Sequence, residues 1–202
     1  MPAPLAPNKG KELETVAEGI RYLRLPIKTR LVERGDDLFA LLEEYAAPHI
    51  AQGDILFVSE KIVCITQGRI IRRDEVRTSP LARLLASKVR NHAGTPEFRG
   101  FGHGTAPAMQ LLIEEAGYPR ALFAAAVAAL TRPLGIKGVF YYLVGKQAKS
   151  IDCPMSFTLA PYTEYAKKAP LRPNEVARNI RDRFGAETVA AGDLTSTIHA
   201  DG

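Results

Sequence analysis

The segment Gly53-Asp54-Ile55-Leu56-Phe57-Val58-Ser59-Glu60-Lys61-Ile62-Val63-Cys64-Ile65-Thr66-Gln67-Gly68-Arg69 carries more structural information than any other part of the chain. Gly53-Asp54 is a turn signal, and Ile55, Leu56, Phe57 and Val58 then read as a strand buried on both faces. Ser59-Glu60-Lys61 interrupts the apolar run, and Ile62, Val63, Cys64 and Ile65 resume it as a second buried strand. Thr66-Gln67-Gly68-Arg69 predicts a turn into Ile70-Ile71. Polar groups between buried strands must be paired or face a cleft, because each buried without a partner costs about 1–3 kcal/mol. Lys61 and Arg69 there are suited to a nucleotide phosphate or a substrate carboxylate. The bland reading is a Glu60–Lys61 bulge in solvent.

Upstream, residues 1–19 are rich in Pro, Lys and Glu and read as a flexible arm. Residues 20–32 alternate as an extended segment, with Pro26 favouring an edge. Gly35-Asp36-Asp37 opens a helix whose acids suit the positive end of the helix dipole, and Leu38, Leu41, Leu42 and Tyr45 form its apolar face. Downstream, Ser79-Pro80 starts a helix with Leu81, Leu84, Leu85 and Val89 inward. A helix over 107–116 buries Met109, Leu112, Ile113 and Ala116 and stops at Gly117. Residues 119–131 are apolar nearly all round, which predicts a central helix. Val139, Phe140, Tyr141, Tyr142, Leu143 and Val144 give the strongest strand signal of the chain. A last helix over 174–184 buries Val176, Ile180 and Phe184. The order predicts a mixed α/β (α+β) fold over residues 20–202, as one domain or as two interlocked lobes of about 20–100 and 101–202.

With 202 residues, 46% hydrophobic and 24% charged, the chain has a globular composition. Two cysteines, Cys64 and Cys153, are too few for a disulfide framework or a zinc site and fit a reducing compartment. The N-terminus lacks signal-peptide character, and the longest apolar run, 121–130, is half of what a membrane span needs. These features predict a cytoplasmic protein with no membrane association. The net charge of +5 is concentrated between Arg69 and Arg99, where eight basic residues face three acidic ones. Such a field attracts phosphates or acidic small molecules, or is simply a solvated face. Nucleic acid is disfavoured because aromatic residues do not interleave with the cations. Gly100-Phe101-Gly102-His103-Gly104-Thr105 leads into a helix and could seat an anion, but it lacks the third glycine of the dinucleotide fingerprint and the lysine of a P-loop. Asp152 and Asp193 fall outside the predicted helices and are the candidate metal ligands. No catalytic triad is legible.

The segment 53–69 resembles the signature of the coenzyme F420 (deazaflavin) gamma-glutamyl ligase family, roughly G-D-V-L-V-V-T-Q-K-I-V-S-K-A-E-G-R. Gly35-Asp36-Asp37-Leu38 is similar to that family's G-D-D-L at the same distance upstream. Thr105-Ala106-Pro107-Ala108-Met109-Gln110, Lys137-Gly138-Val139-Phe140-Tyr141 and Ser150-Ile151-Asp152 resemble a bacterial ligase-like branch. The resemblance implies a gamma-glutamyl ligase-like fold of mixed sheets and surrounding helices, assembled as a homodimer. It also implies GTP- and Mg²⁺- or Mn²⁺-dependent amide formation between an acidic or phosphorylated acceptor and L-glutamate. By position it implies nucleotide contact at Glu60 and Lys61 and at Thr29, Arg30, Leu31 and Val32, with Arg69 helping to hold phosphate. Ile65 stands where the family has its second lysine, and its G-V-D-x-S-N motif has no counterpart. A noncatalytic nucleotide- or ligand-binding or assembly module on the same scaffold is the alternative.

Overall fold

The computed structural model describes residue 10 and residues 12–89, 104–151, 160–186 and 188–191. The chain is mixed α+β, as expected, and divides into two compact units, one of residues 1–66 and 172–202, the other of residues 67–171. The division thus falls at 66/67 and 171/172, not near residue 100: the second unit is an insertion into the first.

In the first unit, strand β1 (Glu14–Ala17) pairs antiparallel with β2 (Ile20–Leu23). Part of the segment expected as a flexible arm is therefore a hairpin. Its two-residue turn, Glu18-Gly19, has φ of 51° and 79°. Both values are positive, as in the type I′ turn whose twist matches a hairpin. Helix α1 (Leu38–Tyr45) begins where predicted, and Asp37 caps it by accepting from the N–H groups of Phe39 at 2.7 Å and Ala40 at 3.1 Å. Strand β3 (Ile55–Val58) also lies where predicted, in parallel register with β6 (Thr188–Ala191).

Two expectations for this region fail. Strand β3 is buried on one face only: Leu56 and Val58 point inward, whereas Ile55 and Phe57 are exposed, Phe57 at 72%. The second strand of the motif is absent, because residues Glu60–Thr66 form helix α2. Its β-branched residues favour a strand by only a few tenths of a kcal/mol each. Winding them as a helix buries Val63 and Cys64 together, and Val63 joins the core of Leu38, Leu56, Val58, Ala177 and Ile180. Helix α8 (Pro173–Phe184) closes this core with Ala177 and Ile180, while Val176 and Phe184 pack at its margin. Arg183 fastens α8 to α1 through Glu43, at 2.8 Å, and by stacking 5.5 Å from the Phe39 ring.

The second unit is largely helical. Strand β4 (Ile70–Arg72) pairs antiparallel with β5 (Tyr165–Lys167). Helices α3 (Pro80–Lys88), α4 (Ala106–Ala116), α5 (Tyr118–Thr131), α6 (Val139–Val144) and α7 (Lys146–Lys149) make up the rest. Helix α3 starts at Ser79-Pro80 as predicted, with Ser79 capping it, but the buried face is Ala82 and Ala86, with Leu81, Leu85 and Val89 at its edges and Leu84 56% exposed. Small residues face the core here because α4 lies close against α3. In α4, Met109, Leu111, Leu112 and Ile113 are fully buried. Gln110 is buried as well, and its amide is satisfied on both sides: the oxygen accepts from Ser79 N–H, and the nitrogen donates to Glu114 and to the Tyr118 hydroxyl.

The predicted central helix, α5, is instead peripheral. It buries only Ala121 and Ala124 and exposes Leu122, Phe123 and Leu130. The predicted strand 139–144 is helix α6, bounded by Gly138 and Gly145 at φ of 80° and 95°. Winding the segment brings Val144 into the core and Phe140, Tyr141 and Leu143 against it, which no isolated strand would achieve. No helix among the described residues is long and apolar enough to cross a membrane.

Candidate functional site

The residues assigned to nucleotide contact lie in two stretches of the first unit. Both border one core: Ile27 and Leu38, on either side of segment 29–32, pack on the cluster that contains Val58 and Val63. In the segment itself Val32 is buried, Thr29 is half-buried and donates to the Arg30 carbonyl at 2.8 Å, and Leu31 is exposed. Arg30 lies against a carboxylate of its own chain. Its two terminal nitrogens donate to the two oxygens of Asp36 at 2.7 and 2.8 Å, and Asp36 also accepts from Glu33 N–H. This bidentate clamp ties the segment to the entrance of α1. The GDD motif thus divides its labour: Asp36 anchors the loop and Asp37 caps the helix.

The Arg30 guanidinium, with the Glu33 N–H, lowers the Asp36 carboxyl from its ordinary 3.8 to about 2. A carboxyl that is more acidic in the fold than in the unfolded chain contributes stability above its unfolded value and loses it as pH falls towards the folded one. Thermal melts of wild type and Asp36→Asn should therefore differ most at neutral pH, and the difference should shrink between about pH 4 and pH 2. A gap independent of pH across that window excludes the clamp.

The second stretch is the junction of β3 and α2. Ser59 follows the strand, and Glu60 is buried in the first turn of α2, where the helix dipole favours a carboxylate. Lys61 follows, half-buried, with its ammonium held by no carboxylate among the described residues. The polar triad expected to join two strands is thus a strand-to-helix turn at the end of a core strand, with Glu60 and Lys61 in the first turn of the helix.

Arg69 belongs to the second unit and is fastened within it. Its Nε donates to the Ala169 carbonyl at 2.9 Å, and a terminal nitrogen meets Glu115 at 2.6 Å, with both side chains largely shielded. Beside it, the Gln67 side chain donates to and accepts from the Leu171 backbone at 3.0 and 2.7 Å. Much of the basic stretch is likewise engaged: Arg72 pairs with Asp74, and Arg83 donates to the Thr78 carbonyl. Asp36 and Glu115, the carboxylates that hold Arg30 and Arg69, were not legible as partners. Asp36 lies six residues from its arginine, but Glu115 lies 46 away and only the fold brings it in.

Asp152, Asp193 and the glycines at 100 and 102 lie outside the described residues. Among the described residues no three His, Cys, Asp or Glu side chains gather as a cation cage. Those residues do not by themselves make a metal site.

The fold defines a mixed α+β protein in which buried Glu60 and half-buried Lys61 begin a helix at the end of a core strand, and an arginine–aspartate clamp holds a loop that borders the same core. The chain belongs to the F420-0:gamma-glutamyl ligase family, whose model matches residues 26–192. A coenzyme F420:L-glutamate ligase from Methanopyrus kandleri is 37% identical over 69 residues, a stretch that spans 34% of this chain and 26% of the archaeal protein.

Proposed function

We propose that this chain is a ligase-like protein that binds GTP at the first unit's loop 29–32 and β3–α2 junction and joins an acidic acceptor to L-glutamate as a gamma-glutamyl-type amide. Family membership supports the ligase class. The observation that carries the nucleotide reading is Lys61, a half-buried residue that follows buried Glu60 and whose ammonium is uncommitted to any carboxylate among the described residues. A point charge on a flexible stem is suited to phosphate oxygens.

In this reading the terminal phosphoryl group of GTP passes to the acceptor carboxylate, leaving GDP and an acyl phosphate. The glutamate amine then attacks the acyl carbon and expels phosphate as the amide forms. Lys61 neutralises charge on the phosphates. Mg²⁺ or Mn²⁺ belongs to the proposal as the counter-charge of the nucleotide, with Asp152 and Asp193 the acids assigned to it. A homodimer in the cytoplasm, acting on small molecules, completes the reading.

The alternative, a noncatalytic nucleotide- or ligand-binding module, draws support from one observation: Arg30 and Arg69, two of the cations assigned to the nucleotide, are held by Asp36 and Glu115. One experiment separates the two. GTP with Mn²⁺ at 100 times its dissociation constant should stabilise the protein by about 2.7 kcal/mol in a thermal shift, and Lys61→Ala should abolish the gain. GDP release that requires both acceptor and glutamate supports the ligase. A shift without turnover under any acceptor supports the module, and no shift with any nucleotide overturns the GTP-dependent ligase and favours a module for another ligand.

A further inference from the structure

We propose that the tip of the α5–α6 hairpin docks onto an anionic lipid surface. Residues 116–151 contain five cations and no acid. One of the five, Arg120, is turned inward and donates to the Leu143 carbonyl at 2.7 Å. Between the two helices, all of residues 132–138 are exposed. This tip carries some of the most exposed large apolar side chains of the protein: Leu130 and Leu134 at 75%, Ile136 at 51%, and Tyr142, on α6, at 85%. Arg132 and Lys137 are interleaved with them, both exposed.

An aliphatic patch of this kind is unfavourable in water and ordinarily marks a binding surface. Its chemistry selects the occupant. An exposed turn offers a tip, not a groove, so it suits insertion among headgroups better than capture of a peptide. Leu134 and Ile136 can enter the acyl boundary while Tyr142 sits at headgroup level, as aromatic residues prefer. Arg132 and Lys137 meet the lipid phosphates, and with no carboxylate in the hairpin nothing repels an anionic leaflet. A second copy of the same tip would place like charges together.

The test is co-sedimentation of the full chain with phosphatidylcholine vesicles, with and without phosphatidylglycerol. Binding should appear with the anionic lipid and weaken as salt is raised. Arg132→Gln with Lys137→Gln should reduce the partition coefficient about thirtyfold. Leu134→Ser with Ile136→Ser should reduce it at least about tenfold. Because all four side chains are exposed, both double variants should keep the wild-type melting temperature, so a loss of binding is not a loss of fold. Failure to pellet with either vesicle overturns the proposal, as does binding indifferent to both double variants. A change in sedimentation mass for the Leu134/Ile136 variant without vesicle binding also overturns it and makes the tip a protein–protein contact.

Discussion

Leu112→Ala should lower the unfolding free energy by about 4 kcal/mol, the loss when a fully buried leucine is truncated and its cavity cannot close. Leu112 has no solvent exposure and sits among Met109, Leu111 and Ile113, which are equally enclosed. Neighbours on all sides leave little room for collapse, so the effect should fall in the middle or upper part of the leucine-to-alanine range. The informative control is Leu84→Ala. Helical spacing assigns both leucines to an inward face, but the fold leaves Leu84 56% exposed. Its truncation should change stability by less than about 0.5 kcal/mol. Urea unfolding of the two variants measures the contrast directly. Equal losses mean that α3 packs on its leucine face, against the burial of Ala82 and Ala86.

Arg69→Ala should be nearly as damaging, with a loss of about 3 kcal/mol, because it leaves the Glu115 carboxylate without its partner in a shielded site and the Ala169 carbonyl without its donor. Arg69→Lys should recover only part of this, since an ammonium cannot reproduce the guanidinium's simultaneous bonds to a carbonyl and a carboxylate. Glu115→Gln should also destabilise, by stranding the cation. If Arg69→Ala melts like wild type yet loses affinity for GTP, the arginine faces a ligand. If it loses stability and the remaining folded protein binds GTP normally, the role is to join β4, the segment after β5, and α4. The two outcomes separate the phosphate-holding role implied by family position from the bonds seen in the fold.

How far the sequence carried the fold is clearest where capping chemistry or amphipathic spacing was strong. Asp37 before α1, Ser79 before α3 and the enclosed face of α4 were legible because a cap or an i, i+3, i+4 pattern is written within a few residues. The family motifs were legible for the same reason. The turn at Glu18-Gly19 was present in the sequence as well, but it was obscured by the polar composition around it.

The segments at 62–65 and 139–144 are helices and not the expected strands for a common reason. Both are rich in β-branched or aromatic residues, whose local preference for a strand is worth little per residue. Each lies next to a core that a helix reaches better: α2 brings Val63 to the first-unit cluster, and α6 brings Val144 to the second. The partners of Arg30 and Arg69 show the same limit in the site, since only the Asp36 pairing is local in sequence.

By itself, then, the order of residues determined the family motifs, the α+β class, the helix caps and the placement of Glu60 and Lys61 next to each other, because these depend on short-range spacing. The tertiary structure alone decided that Glu60 and Lys61 open a helix, that Arg69 is bound to a carboxylate 46 residues away, and that α5 and α6 display an apolar tip. Those outcomes rest on burial and on long-range pairing, whose energies exceed the small local preferences that a linear reading can weigh.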